Sequence, residues 1–412
     1  MPLIFYYHFP TLMISALIFQ TFKTVSPLKC ITRSRITTSG RKSSRICMQS
    51  NAASSYSFWN REESEKGKFA TITKDMVKRE ARIISLSDSN DEANAALHHG
   101  KLSVGATLLG VGMSLEDFDL ELLQREPPNV VFVSPSCPLA RVQLPIFLQK
   151  FPSLEWIHVR SAGIDFIVSD ELAADTKTYV TNAKGQFSST LAEYTMMACS
   201  SFAKDLPRLL QQKKNKTWEK FNVKELRGST MGIVGYGDIG RACAKLAKVY
   251  GMRVIALRRN PKLCEGDPFC DVVYASDKAC LNQLMSESDY VVCSAPSTIE
   301  TRGMIDSDAF QAAKEGMVFI NLGRGPVVDE DAMISALKTG KLRGAALDVF
   351  TEEPLPQDSD LWDLENVLIS PHNMDQTATF MHEATEFFVN ENLPRFICGE
   401  KLLNPVDKIL GY

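Results

Sequence analysis

The chain has 412 residues, 44% hydrophobic and 23% charged, the balance of a soluble globular protein long enough for two cores. Its 46 basic and 49 acidic residues are unevenly spread, for no Asp or Glu precedes Glu62 while eight Lys and Arg do. The remainder holds 38 basic against 49 acidic groups, a net charge of −11, which makes it a poor candidate for binding nucleic acid or an anionic membrane, since either wants a basic face.

Residues 1–65 read as a targeting leader rather than as part of the fold. TLMISALIF, residues 11–19, has the length of a signal-peptide core, and the acid-free KCITRSRITTSGRKSSR has the composition of an organelle transit peptide. His8, Pro10 and Gln20 interrupt the apolar run well short of the roughly 20 residues of a membrane span, so no stable anchor is expected. The expectation is an organellar protein whose leader is removed, with the plastid favoured over the mitochondrion. The ten cysteines include no CxxC pair and no Cys/His ligand spacing, which argues against a metal site or a disulfide framework. Cys199, Cys243 and Cys293 read as small buried hydrophobes.

From Ala81 onward, short β-branched runs alternate with helical patterns. ARIISL, ATLLGV, NVVFVS, LEWIHV and TYVTNA predict buried strands of a parallel sheet with helices on both faces. Residues 188–216 then predict a long connecting helix, opened by serine caps and broken near Pro207. Seven further runs, STMGIVG, MRVIALR, CDVVYA, DYVVCSA, MVFINL, GAALDVF and NVLISPH, make a second doubly wound unit. A last helix over 378–396 comes too late for that sheet and is expected against the first. The predicted class is α/β with two doubly wound domains. Residues 66–200 and 376–412 form a discontinuous, flavodoxin-like substrate domain, and residues 201–375 form a Rossmann nucleotide-binding domain.

The second series opens on GYGDIG, residues 235–240, directly after the apolar MGIV and directly before the helical RACAKLAKVYG. Gly235 permits the tight turn, Gly237 lets the backbone approach a pyrophosphate, and Gly240 lets helix and strand pack closely. Asp238 and Ile239 complete the loop, and the helix N-terminus offers free N–H groups to phosphate. The motif has its strand, its helix and its next strand in place, which a chance GxGxxG lacks. Where an NAD enzyme puts an acid against the adenosine ribose, this chain has Arg258 and Arg259 in LRRNPK. Guanidinium groups there attract a 2′-phosphate, so NADP(H) is favoured over NAD(H).

Three later segments end predicted strands on chemically useful side chains: INLGRG on Arg324, ALDVFTEEPLP on Glu353 and ISPHN on His372. Strand C-termini converge on the ligand crevice of an open α/β sheet, so these residues can meet. An arginine, a carboxylate and an imidazole beside a nicotinamide suit reduction of a 2-oxoacid. His372 exchanges a proton with the substrate oxygen, Glu353 fixes the ring tautomer, and Arg324 binds the carboxylate and polarises the ketone.

These segments resemble the D-isomer-specific 2-hydroxyacid dehydrogenase family. GYGDIG, DYVVCSAPSTIETRGMID, MVFINLGRGPVVDEDAMISALKTGKLRGAALDVFTEEPLP and NVLISPHN follow its signatures almost without gaps, and WIHVRSAGID extends the match into the first domain, over residues 125 to 380. The resemblance implies reversible hydride transfer between a nicotinamide and the carbon bearing the keto or hydroxyl group. It implies that Ala162 and Gly163 present backbone N–H groups to the substrate carboxylate, and that Pro296, Gly323 and Asp348 lie at the cofactor. It also implies a homodimer. One departure stands out: the family usually has a small residue two places after the histidine, and this chain reads HNMDQT, with Met374 and Asp375. Glyoxylate or hydroxypyruvate is the expected type of substrate. NAD-dependent D-2-hydroxyacid or 3-phosphoglycerate dehydrogenase is the nearest alternative, which the arginine pair opposes. A nucleotide-sensing binding protein is the alternative of another class, which the intact Arg324, Glu353 and His372 oppose.

Overall fold

The computed structural model describes residues 72–98 and 101–409, so the expected leader, with His8, and also His99 lie outside the described residues. The first series of apolar runs forms a five-stranded sheet: β1 (Ala81–Leu86), β2 (Ala106–Gly112), β3 (Val130–Val133), β4 (Trp156–Val159) and β5 (Tyr179–Asn182), in the order β2-β1-β3-β4-β5. The second series forms seven strands: β6 (Thr230–Val234), β7 (Arg253–Arg258), β8 (Val272–Ala275), β9 (Tyr290–Cys293), β10 (Met317–Asn321), β11 (Leu342–Leu347) and β12 (Val367–Ile369). Their order is β12-β11-β10-β9-β6-β7-β8. Every pairing within both sheets is parallel. All residues of β3, β4, β6, β9 and β10 are buried, as continuous apolar strands must be when helices cover both faces. The strand order reverses between β1 and β3 and between β6 and β9, and each reversal opens a crevice at the C-terminal strand ends.

The predicted connector forms two helices rather than one. Ser188–Lys204 ends at Asp205, which adopts a left-handed φ of 54° and accepts a hydrogen bond from the Arg208 N–H to start Leu206–Asn215. Pro207 lies in the first turn of the second helix, where a missing N–H is harmless, so Asp205 and not the proline makes the break. The expected serine cap is also absent, for Phe187 occupies the cap position with no side-chain bond. Leu191, Tyr194 and Cys199 of the first helix pack with Ile233, Ala242 and Val292 in the core of the seven-stranded sheet. Residue 200 therefore falls inside a helix that this core owns.

The final helix begins at Phe380, passes through a π-helical turn at Phe388–Asn392 and ends as Leu393–Ile397. Phe388, Leu393 and Phe396 pack on Ile83, Phe132 and Trp156, covering one face of the five-stranded sheet. Leu144 and Phe147 of the helix Ala140–Lys150 cover the other. Among the described residues no helix is long and apolar enough to cross a membrane.

Candidate active site

The nucleotide loop is built as its glycines require. Gly235 follows β6 at φ 94°, and a Cβ there would stand 2.7 Å from the Ala295 amide nitrogen across the strand-order reversal. A Cβ on Gly240 would stand 2.6 Å from the Gly235 carbonyl oxygen, whereas one on Gly237 would meet nothing within 4 Å. Close packing thus demands the outer two glycines, and open space lies over the middle one. The helix Asp238–Val249 begins at Gly237 with no side-chain cap, and the positive end of its dipole lies at the glycine loop, so the loop fits a dinucleotide pyrophosphate. Asp238 is buried in that first turn, and Ile239 packs against the core behind it. Lys184, just beyond the end of β5, reaches Asp238 at 3.4 Å and brings a cation to the phosphate end. Sequence reasoning missed this lysine, whose signal is a basic residue just past a strand C-terminus.

The neighbouring strand ends complete the wall. Pro296 is exposed just past β9, and its carbonyl accepts from the Thr301 hydroxyl at 2.6 Å. Gly323 allows close approach, since a Cβ would lie 2.5 Å from the Ala295 carbonyl oxygen. Arg258 ends β7 with Nη1 3.0 Å from Cys264 Sγ, and Arg259 is exposed beside it.

His372 follows β12, Glu353 follows β11 and Arg324 follows β10, adjacent strands of one sheet. His372 Nδ1 lies 2.7 Å from Glu353 Oε2, while Glu353 Oε1 accepts from the Phe350 N–H at 3.0 Å. The carboxylate is therefore held at both oxygens. His372 Nε2 has no hydrogen-bond partner among the described residues. The histidine takes a left-handed φ of 50°, a strain on the order of 1 kcal/mol for a residue with a Cβ.

Asp348 supports that strained turn. Its buried carboxylate accepts from Ser370 Oγ at 2.8 Å and from the Asn373 and Met374 N–H groups at 3.1 and 3.4 Å. Burial raises its pKa, and these donors work against the rise. In this geometry Asp348 clamps the loop that carries His372. Met374 donates its amide to the clamp and packs its side chain against the core, so of the two unusual residues only Asp375 lines the cavity at His372.

Arg324 reaches across to the first domain. Its Nε and Nη2 donate to Asp165 Oδ2 at 3.2 and 3.1 Å, and Nη1 donates to the Gly323 carbonyl at 2.8 Å. Nη2 occupies the place a Cβ on Gly163 would take, which explains the glycine in SAGID. The carbonyls of Ala162 and Gly163 accept from Asn182 Nδ2 and Ser161 Oγ, each at 2.6 Å. Neither amide N–H has a partner among the described residues, so both remain available to an anion beside Arg324.

A cavity of about 270 Å³ is lined by His372, with Ser161, Arg160 and Asp375 as polar walls and Phe187 and Phe380 as apolar ones. Arg160 is fully buried at the end of β4 and bonds Asp91 and Ser134, with Asn94 at 3.2 Å and Thr385 at 3.4 Å. It joins four segments, and no sequence pattern signalled that role. A larger depression of about 410 Å³, lined by Glu330, Asp331, Glu352, Asp358 and Asp360, contains none of Arg324, Glu353 and His372.

Comparison with known proteins identifies the family. A sequence model described as "D-isomer specific 2-hydroxyacid dehydrogenase, NAD binding domain" matches residues 196–373. A glyoxylate reductase of Korarchaeum cryptofilum is 33% identical over 309 residues, 71% of this chain and 90% of the relative. A D-3-phosphoglycerate dehydrogenase of Methanocaldococcus jannaschii is 32% identical over 267 residues, 63% of this chain, and the match spans 49% of that longer protein. The crystal structure of a D-isomer specific 2-hydroxyacid dehydrogenase from Xanthobacter autotrophicus Py2, in complex with NADPH and MES, superposes with a TM-score of 0.64 at 28% identity, covering 81% of this chain and 100% of that one. The chain belongs to the D-isomer specific 2-hydroxyacid dehydrogenase family of NAD(P)-dependent oxidoreductases.

Proposed function

We propose that the protein is an NADPH-preferring reductase of a small 2-oxoacid, of the glyoxylate or hydroxypyruvate type, with His372 as its acid and base. The observation that carries this reading is the 2.7 Å contact of His372 Nδ1 with Glu353 Oε2, which leaves Nε2 without a hydrogen-bond partner among the described residues, in a histidine that lines the cavity. A nucleotide sensor has no use for an imidazole oriented in this way.

The nicotinamide supplies a hydride to the carbonyl carbon when bound. Gly235, Gly237, Asp238, Ile239 and Gly240 would hold the cofactor's pyrophosphate end, with Pro296 and Gly323 along its length. Arg258 and Arg259 would meet a 2′-phosphate, the feature that favours NADPH, and the Xanthobacter relative was crystallised with NADPH. Protonated His372 gives the Nε2 proton to the ketone oxygen in reduction, and the neutral ring takes it back in oxidation. Glu353 keeps the remaining N–H on Nδ1. Arg324 and the backbone amides of Ala162 and Gly163 take the substrate carboxylate, and Arg324 exchanges part of its hold on Asp165 to do so.

Glyoxylate and hydroxypyruvate suit the small cavity, and the Korarchaeum relative carries the name glyoxylate reductase. The test is the loss of nicotinamide absorbance when purified protein and NADPH meet a panel of 2-oxoacids. A steady decline with the short members supports the reading. Flat traces across the panel, with NADPH still bound, would replace it by the sensor.

A further inference from the structure

We infer that Asp375 selects substrate charge: it keeps 2-oxoacids carrying a second anionic group, a phosphate ester or a second carboxylate, out of the cavity beside His372. The inference rests on the 2-oxoacid reading above and names its substrate class more narrowly. His372 lines the cavity together with Asp375, so on this reading the cavity takes what the substrate carries beyond its reacting carbon. Asp375 faces it because the preceding Met374 is turned into the core, and the Asp375 carbonyl is fixed in a turn by the Thr377 N–H at 3.0 Å.

The charges around the cavity decide what can enter. Arg160 is paired with Asp91, Arg324 with Asp165 and His372 with Glu353. Asp375 alone has no ion-pair partner among the described residues. Burial raises its pKa, while His372 and Arg324 both act in the opposite direction, which sets all three groups within electrostatic reach of one another. A monoanionic oxoacid recruits Arg324 with its carboxylate and leaves a neutral tail in the cavity. A dianion finds no uncommitted cation for its second group and meets the Asp375 carboxylate instead. Arg160 offers no remedy, because its two terminal nitrogens are spent on Asp91, Ser134, Asn94 and Thr385.

The experiment measures, by calorimetry on the NADP⁺-bound protein, the affinities of hydroxypyruvate, 3-phosphohydroxypyruvate and oxaloacetate for wild type, Asp375→Asn and Asp375→Glu. Wild type and Asp375→Glu bind the monoanion in clear preference to both dianions. Asp375→Asn narrows that preference by about tenfold, the effect of one removed charge a few ångströms from another. Asp375→Ser supplies the same reading should the Asn variant not fold. An unchanged ratio in the neutral variants, or a wild type that prefers a dianion, overturns the inference and leaves the 2-oxoacid reading intact. Failure of all three acids to bind while NADP⁺ remains bound overturns both.

Discussion

His372 Nδ1 and Glu353 Oε2 stand 2.7 Å apart although 19 residues separate them in the chain. The contact exists because β11 and β12 are neighbours and both end at the same edge of the sheet. Replacing Glu353 by Gln removes the anionic partner and frees the ring to exchange tautomers. The expected result is a fall in kcat of about 10²-fold, read from steady-state rates, with NADPH affinity unchanged.

The Asp348 clamp makes a separate prediction. Asp348→Ala would leave the Asn373 and Met374 amides without their acceptor and the Ser370 hydroxyl with only its longer contacts to the Leu347 carbonyl and Tyr194, at a cost of about 2–3 kcal/mol in stability. A denaturant titration checks the stability. The same variant releases the left-handed turn at His372 and should lower kcat by about tenfold, since proton transfer depends on placement of the ring. Loss of stability with full kcat would show that the clamp serves the fold alone.

Arg258 and Arg259 are predicted to set the cofactor. Changing both to Ala should reduce the ratio of kcat/KM for NADPH over NADH by about tenfold or more, because on the proposed reading each guanidinium would make a charge-assisted contact that only the 2′-phosphate can use. A ratio that stays constant would assign the two arginines to the fold, where Arg258 already touches Cys264.

Much of this was legible in advance, and the reason is physical. A strand buried on both faces needs a continuous apolar run, so ARIISL, NVVFVS and MVFINL identify themselves, and a residue that follows such a run must lie at the sheet edge where ligands bind. Arg324 and His372 were found that way. Asp348 was named, but its clamp was not foreseen, since nothing in a sequence shows which amides a carboxylate will accept from. Arg160 was missed because its partners come from three distant segments, at Asp91 and Asn94, at Ser134 and at Thr385. Asp205 was missed because a left-handed aspartate leaves a fainter trace than the proline two residues on.

His158 gives the fold a pH dependence independent of catalysis. The ring is wholly buried among Phe132, Trp156 and Phe388, and burial pushes its pKa down to about 3 from 6.5. The unfolded chain takes up a proton below pH 6.5 that the folded chain refuses until about pH 3, so stability falls as the solution is acidified through that window. His158→Gln should remove about 2 kcal/mol of the loss between pH 6.5 and about pH 4.5, measured by denaturant midpoints. Equal losses in the variant and the wild type would place the acid sensitivity elsewhere.

The role of His372 is tested most directly by comparing wild type with His372→Gln in NADPH oxidation with hydroxypyruvate, alongside NADPH affinity measured by fluorescence. The expected kcat of the variant is lower by about 10²–10⁴-fold, with cofactor affinity retained. A variant that turns over at the wild-type rate would contradict that role.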